Sequence, residues 1–368
     1  MKNQLCEQLG IEFPIFAFTH CRDVAAAVSR AGGLGVLGIA THTPDQLEIE
    51  LDWLDDAVGD APYGVDILLP TGASDADDAD DVRKQIPDAH RHFVEDLLER
   101  YGVPPLKDAA REVQTAVGED RSVGLIEQAL AHKPRLVASA LGPPPPRLIE
   151  AAHANGAHVA ALVGTTTHAE RQQAAGVDII VAQGYEAGGH TGQIASMVLV
   201  PEVVDAVAPL PVLAAGGIAS GRQMAAAMAL GAQGVWTGSV WLTTQEAETH
   251  PVVKQKFLAA TSSDTVRTRS ITGKPARHIK SAWTEAWDDP SALDTLPMPL
   301  QWILIHEAYE QIERSAATQP GAGELITYPV GQVVGSLTQV KAARQVVFEM
   351  VEEYIAAAST LASTLDET

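Results

Sequence analysis

VDIIVAQGYEAGGHTG, residues 177–192, decides how this chain folds. Its first part, Val177 to Val181, is apolar apart from Asp178 and has the length of a buried strand. After it come a glutamine, an acid, two adjacent glycines and a histidine. Glycine permits positive φ or a close approach to the backbone, and histidine is the side chain most easily made an acid or base near neutral pH. Moving outward, similar apolar runs recur between stretches of helical periodicity: PIFAF 14–18, LGVLG 34–38, YGVDILL 63–69, RLVASAL 135–141, AHVAALV 157–163, DIIVAQ 178–183, PVLAA 211–215 and GVWTG 234–238. Eight such strands within roughly 240 residues, several ending in Gly, Thr or Pro, fit an α/β fold, the closed (β/α)8 TIM barrel, better than an open sheet.

Composition limits the function. The chain has 368 residues, enough for a barrel plus a smaller appendage. Its two cysteines, Cys6 and Cys21, make no disulfide framework. The start, MKNQLCEQLGIEF, lacks the basic and apolar segments of a signal peptide, which points to the cytoplasm. A net charge of −22 opposes nucleic acid and anionic lipid, and no apolar run is long enough to span a bilayer. The expected partner is a small molecule; a homodimer stays open.

Two segments depart from the βα rhythm. Residues 71–122, beginning TGASDADDADDVRKQ, form an acidic insertion after the third strand, read as a surface excursion or lid with a helical middle around 89–101. The barrel is placed at 1–245; residues 246–368 read as a helical appendage packed on it, ending in an amphipathic helix. GLGVLG at 33–38 fits G-x-G-x-x-G, but it comes after a helical stretch and becomes a strand, the reverse of the dinucleotide-binding order. Its glycines read as a helix cap running into the second strand. GPPPP at 142–146 reads as a stiff helix start.

The candidate chemistry lies at strand ends. Gly216 and Gly217 come after the seventh run, and Gly238 and Ser239 after the eighth. Exposed amides and a helix N-terminus in this corner of a barrel suit a phosphate. His190 lies beyond the C-terminal end of a strand, where barrel active sites sit, among glycines that expose it. His20, Cys21 and His42 occupy the loops after the first two strands; Cys21 has no evident base partner. Glu186 could tune His190 or serve as a cap. Arg267, Arg269, Lys274, Arg277 and Lys280 reverse the local charge of an acidic chain and could draw in an anion; the alternative is pairing with surface carboxylates. No metal-ligand spacing is present.

The set AGGLG 31–35, AQGYEAGGHTG 182–192, AAGGI 214–218 and TGKPAR 272–277 resembles the nitronate monooxygenases, formerly 2-nitropropane dioxygenases, which are FMN-dependent barrels. The resemblance runs from about residue 11 to 280. It implies that Gln183 contacts the flavin, that Gly188 and Gly189 let the isoalloxazine approach, and that His190 faces the substrate. It places Gly216, Gly217, Gly238 and Ser239 around the FMN phosphate; with that cofactor, Ala17, Phe18, Thr19 and Asp66 at the ends of the first and third strands are read as further contacts, and His20, by its loop, and Lys274 and Arg277, by their charge, as substrate-side residues. The implied reaction is oxidation of a nitronate by oxygen to a carbonyl compound and nitrite.

Two departures bear on this. PIFAFTHCRDVAAAVS at 14–29 lacks the family's Ala-Pro-Met segment, which affects substrate specificity, and Asp66 stands where relatives carry an asparagine, so its charge would be unfavourable beside a phosphate unless offset. The similar flavin-dependent enzymes acting on enoyl or acyl-CoA thioesters are the alternative, and a non-redox phosphate-binding barrel is a second.

Overall fold

The computed structural model describes residues 3–69, 83–106 and 119–366. Eight parallel strands close into one barrel in the order β1 (Ile15–Thr19), β2 (Leu34–Gly38), β3 (Tyr63–Leu68), β4 (Leu136–Ala140), β5 (His158–Val163), β6 (Ile179–Gln183), β8 (Val212–Ala215) and β9 (Gly234–Thr237). Alternate residues of each strand face inward or outward. Phe16, Leu34, Val36, Leu136, Ala138, Ile179, Val181, Leu213 and Trp236 fill the interior, and Leu5, Cys6 and Leu9 of the helix Gln4–Leu9 join the same cluster. Their outward neighbours, such as Ile15, Ala17, Val65 and Val137, meet the helices in a second cluster.

That outer cluster takes in Val253, Phe257, Trp283, Ile305 and Val347, so the segment after the barrel shares its core. The tail helix Ala343–Asp366 lies on the helix Gly221–Ala229, where Gly221 N donates to Glu353 Oε2 at 2.9 Å. Within the insertion, the acidic start at 70–82 lies outside the described residues, while the helix Asp88–Arg100 buries Val94, Leu97 and Leu98 and sets Phe93 4.6 Å from Trp287. Between the helix Arg22–Arg30 and β2 the chain turns through Gly32, at φ +93, and Gly33, the first glycine of GLGVLG, while Gly35 and Gly38 lie within β2.

One element departs from the reading of 246–368 as helices and loops. β10 (Thr265–Thr268) and β11 (Ala276–Ile279) form an antiparallel hairpin, and β11 pairs with β7 (Gly189–His190), the two-residue strand in the loop after β6. TVRT and ARHI are too short and too charged to show apolar alternation, which is why periodicity missed them. The hairpin ties the appendage to the loop carrying the candidate histidine.

Candidate active site

After β8 the chain turns through Gly216 and Gly217 at φ +92 and +73, a left-handed region that favours glycine. A Cβ at 216 would lie 3.0 Å from Gly184 O, whereas at 217 the nearest atom is 3.6 Å away in Glu186 and at 238 it is 4.0 Å away in Phe18. The amides of Gly217, Gly238 and Ser239 have no acceptor among the described residues, so this corner presents open backbone donors. Ser239 Oγ accepts from Gly331 N at 2.8 Å. Unclaimed amides beside open space suit a phosphate group. The neighbouring helix N-terminus at Gly221 is already occupied by Glu353, so the donors of the cradle are those of the loops.

Gln183 ends β6, in register with Ala215. Glu186 accepts from Ser196 N at 3.0 Å and lies 3.0 Å from Ser196 Oγ; it holds the start of the helix Ser196–Val207 and makes no bond to His190. A Cβ at Gly188 would come within 2.8 Å of Val330 and Gly331, so this glycine serves first an approach between two backbones. Gly189, at φ +72, has open space around its Cβ position, as a flat ligand would need.

His190 is fixed by the pairing of β7 with β11, opposite Ala276. Its Nε2 lies 2.9 Å from Thr272 Oγ1. Burial, with the Lys274 ammonium adding to it, lowers its pKa to about 4. Behind it His278 is 5% exposed, with Nδ1 buried and unpartnered; burial and then His190 lower its pKa to about 3. Both rings are neutral at physiological pH.

The basic cluster separates into two roles. Arg277 is 2% exposed; it donates to Tyr185 O at 3.0 and 3.3 Å and to Thr265 Oγ1 at 3.1 Å, and it stacks 4.5 Å from the Tyr185 ring. A guanidinium so enclosed braces the loop after β6, a structural role beside the substrate-side one expected of it. Arg267 donates to Thr191 O at 3.1 Å from the other side of Tyr185, and Arg269 donates to Gly273 O at 3.3 Å. Lys274 is the member beside His190, half-buried.

On the barrel side, Phe18 faces inward, its ring 6.2 Å from Trp236 and 5.1 Å from the exposed His20. A ring nitrogen of His20 lies 3.4 Å from Gly38 O. Ala17 points into the outer core and Thr19 Oγ1 accepts from Cys21 N, so both offer the interior only backbone. Asp66 is 4% exposed between Gly38 and Ala138, with Oδ2 unpartnered. Burial pushes its pKa well up, so it stands as an uncharged acid. Protonation thus removes the charge that made Asp66 look unfavourable. The Cys21 thiol donates to Glu246 O at 3.2 Å and burial raises its pKa, which suits no nucleophile. Sequence reasoning missed the roles of Tyr185, Thr272, His278 and Gly331; of these, Tyr185 and Thr272 carried a signal, as members of AQGYEAGGHTG and TGKPAR.

The structure defines a class, the TIM-barrel proteins, and comparison with known proteins gives the family. The nitronate monooxygenase family model matches residues 2–353. Rv1533 of Mycobacterium tuberculosis, which carries a provisional monooxygenase name, is 60% identical over 96% of this chain and 97% of its own. A Bacillus subtilis protein named a probable nitronate monooxygenase is 30% identical, covering 90% of this chain and 92% of that one. The solved nitroalkane oxidase of Streptomyces ansochromogenes superposes with a TM-score of 0.79 at 25% identity over 98% of this chain and all of its own. The chain belongs to the nitronate monooxygenase family and is a flavin-dependent oxidoreductase. Among the described residues no helix is long and apolar enough to cross a membrane.

Proposed function

We propose that the protein oxidises a nitronate, or the nitroalkane from which it forms, with oxygen, giving a carbonyl compound and nitrite, and that its flavin is FMN. The observation that carries this reading is the pairing of a neutral imidazole with an ammonium, His190 on β7 and Lys274 in the turn of the hairpin that pairs with it, together with a barrel corner of open amides. The cradle of Gly217, Gly238 and Ser239 fits a single phosphate, the orphaned acid of Asp66 fits a polar ring edge inside the barrel, and the open space at Gly189 fits a flat ring. Bound there, the flavin supplies the redox chemistry and the reaction with oxygen.

The chain's own residues supply position and proton handling. Lys274 draws the nitro or nitronate oxygens toward the hairpin, and the buried surroundings strengthen that attraction relative to water. His190, unprotonated, takes the α-proton of a neutral nitroalkane, so the resulting anion forms beside Lys274. Because the active form is the neutral ring, kcat/KM is lost as pH falls through about 4, well below the ordinary imidazole range. His20 and Phe18 line the opposite wall.

Anaerobic mixing with a nitronate, an acyl-CoA thioester and NADH in turn, with visible absorbance recorded, tests this. Bleaching by the nitronate supports the reading. Bleaching by the thioester alone would make the protein a thioester oxidoreductase, and a colourless protein that FMN cannot reconstitute would contradict both.

A further inference from the structure

We infer that Thr272 is a positioning residue that holds the His190 ring in its Nε2–H form, leaving Nδ1 as the open lone pair of the site. A threonine hydroxyl has one hydrogen to give and two lone pairs to receive. Thr272 Oγ1 has three polar contacts: Lys274 O at 3.3 Å, which can only accept; Lys274 N at 3.3 Å, which can only donate; and His190 Nε2 at 2.9 Å. With the hydroxyl hydrogen given to Lys274 O and one lone pair taken by Lys274 N–H, the second lone pair is filled by Nε2–H of His190. Turning the hydroxyl hydrogen to Nε2 instead would leave two oxygens 3.3 Å apart with no hydrogen between them. The backbone pairing of His190 with Ala276, at the start of β11, keeps ring and turn together.

The consequence, which rests on the reading of His190 as the base, is chemical. In the Nε2–H form Nδ1 receives the substrate's proton: the α-carbon–hydrogen bond breaks, its electron pair stays on the substrate as an anion beside Lys274, and the proton moves to Nδ1. In the other form Nδ1 carries a hydrogen and can only donate. Of the titratable groups beside His190, the Lys274 ammonium adds to burial in disfavouring a positive ring, while His278, itself neutral, adds no charge, so His190 starts unprotonated.

The test uses the flavin-loaded enzyme with Thr272→Val and Thr272→Ser, nitroethane and preformed ethyl nitronate as probes, and nitrogen-15 NMR of the histidine rings. The wild type shows His190 protonated on Nε2. Thr272→Val slows turnover of the neutral nitroalkane about 10–100-fold, the usual loss on removing a group that orients another, leaves the nitronate reaction within about threefold, and mixes the ring forms; Thr272→Ser restores both. A wild-type ring protonated on Nδ1 overturns the inference, as does a Thr272→Val variant slowed equally on both probes. If Thr272→Val does not fold, the wild-type ring spectrum and Thr272→Ser decide. A His190→Ala enzyme that still processes nitroethane would remove the base reading while leaving the spectroscopic result intact.

Discussion

Two sides of the candidate site are built in opposite ways. At the ends of β8 and β9 the chain offers bare backbone, with left-handed Gly216 and Gly217, amides that no group among the described residues claims, and room beside Gly217 and Gly238. Across the mouth, the β7–β10–β11 sheet offers side chains already bonded to one another: Arg277 on Tyr185 and Thr265, Arg267 on Thr191, His190 on Thr272. The first arrangement waits for a ligand's charge. The second holds one imidazole still and keeps it neutral. Holding a cofactor and acting on a substrate are therefore separable, and substitutions on the two sides should fail differently.

The largest effect is expected at the backbone corner. Gly217→Asp and Gly238→Asp each put a carboxylate where the open amides converge, and an aspartate can satisfy those amides itself, so the chain folds but purifies largely without flavin. Flavin content after gel filtration is the measurement, and full loading of either variant breaks the assignment of that glycine. Next comes the brace. Arg277→Ala strips Tyr185 O and Thr265 of a charged donor and leaves a void, which lowers stability by about 2–3 kcal/mol. Thermal unfolding measures this, and an unchanged melting temperature with a raised KM would give Arg277 the substrate-side role instead.

A smaller effect tests the barrel wall. The folded-state pKa of Asp66 is raised, so the folded chain keeps a proton that the unfolded chain has lost, and stability falls as pH climbs from the ordinary carboxylate range toward that raised value. Asp66→Asn has no proton to lose. It should match the wild type near pH 4 and outlast it at pH 8. Denaturant unfolding at the two pH values checks the sign, and a variant less stable at pH 8 would mean that Asp66 is ionised and held.

The same contrast explains what the sequence revealed. The eight barrel strands were legible as apolar runs, and the Gly216–Gly217 pair after β8 because its left-handed backbone favours glycine. His190 stood out through its position after a strand. Arg277 could not be placed, because a charged side chain stacked on an aromatic ring reads in sequence like any surface arginine. Likewise His278 and Gly331 gain their meaning from partners far along the chain, Gly331 from Ser239 and Gly188. The Asp66 carboxyl looked charged because sequence gives residue type but not solvation.

The central claim is that His190, held by β11 in the loop after β6, acts on substrate while the barrel corner holds the cofactor. The most direct measurement is the rate of anaerobic flavin bleaching by nitroethane in wild type and His190→Ala, with flavin content determined on the same samples. The account predicts equal flavin content and a rate reduced about 10²–10⁴-fold, the usual loss on removing a general base. A His190→Ala enzyme that is bleached at the wild-type rate, or that loses its flavin, would contradict it.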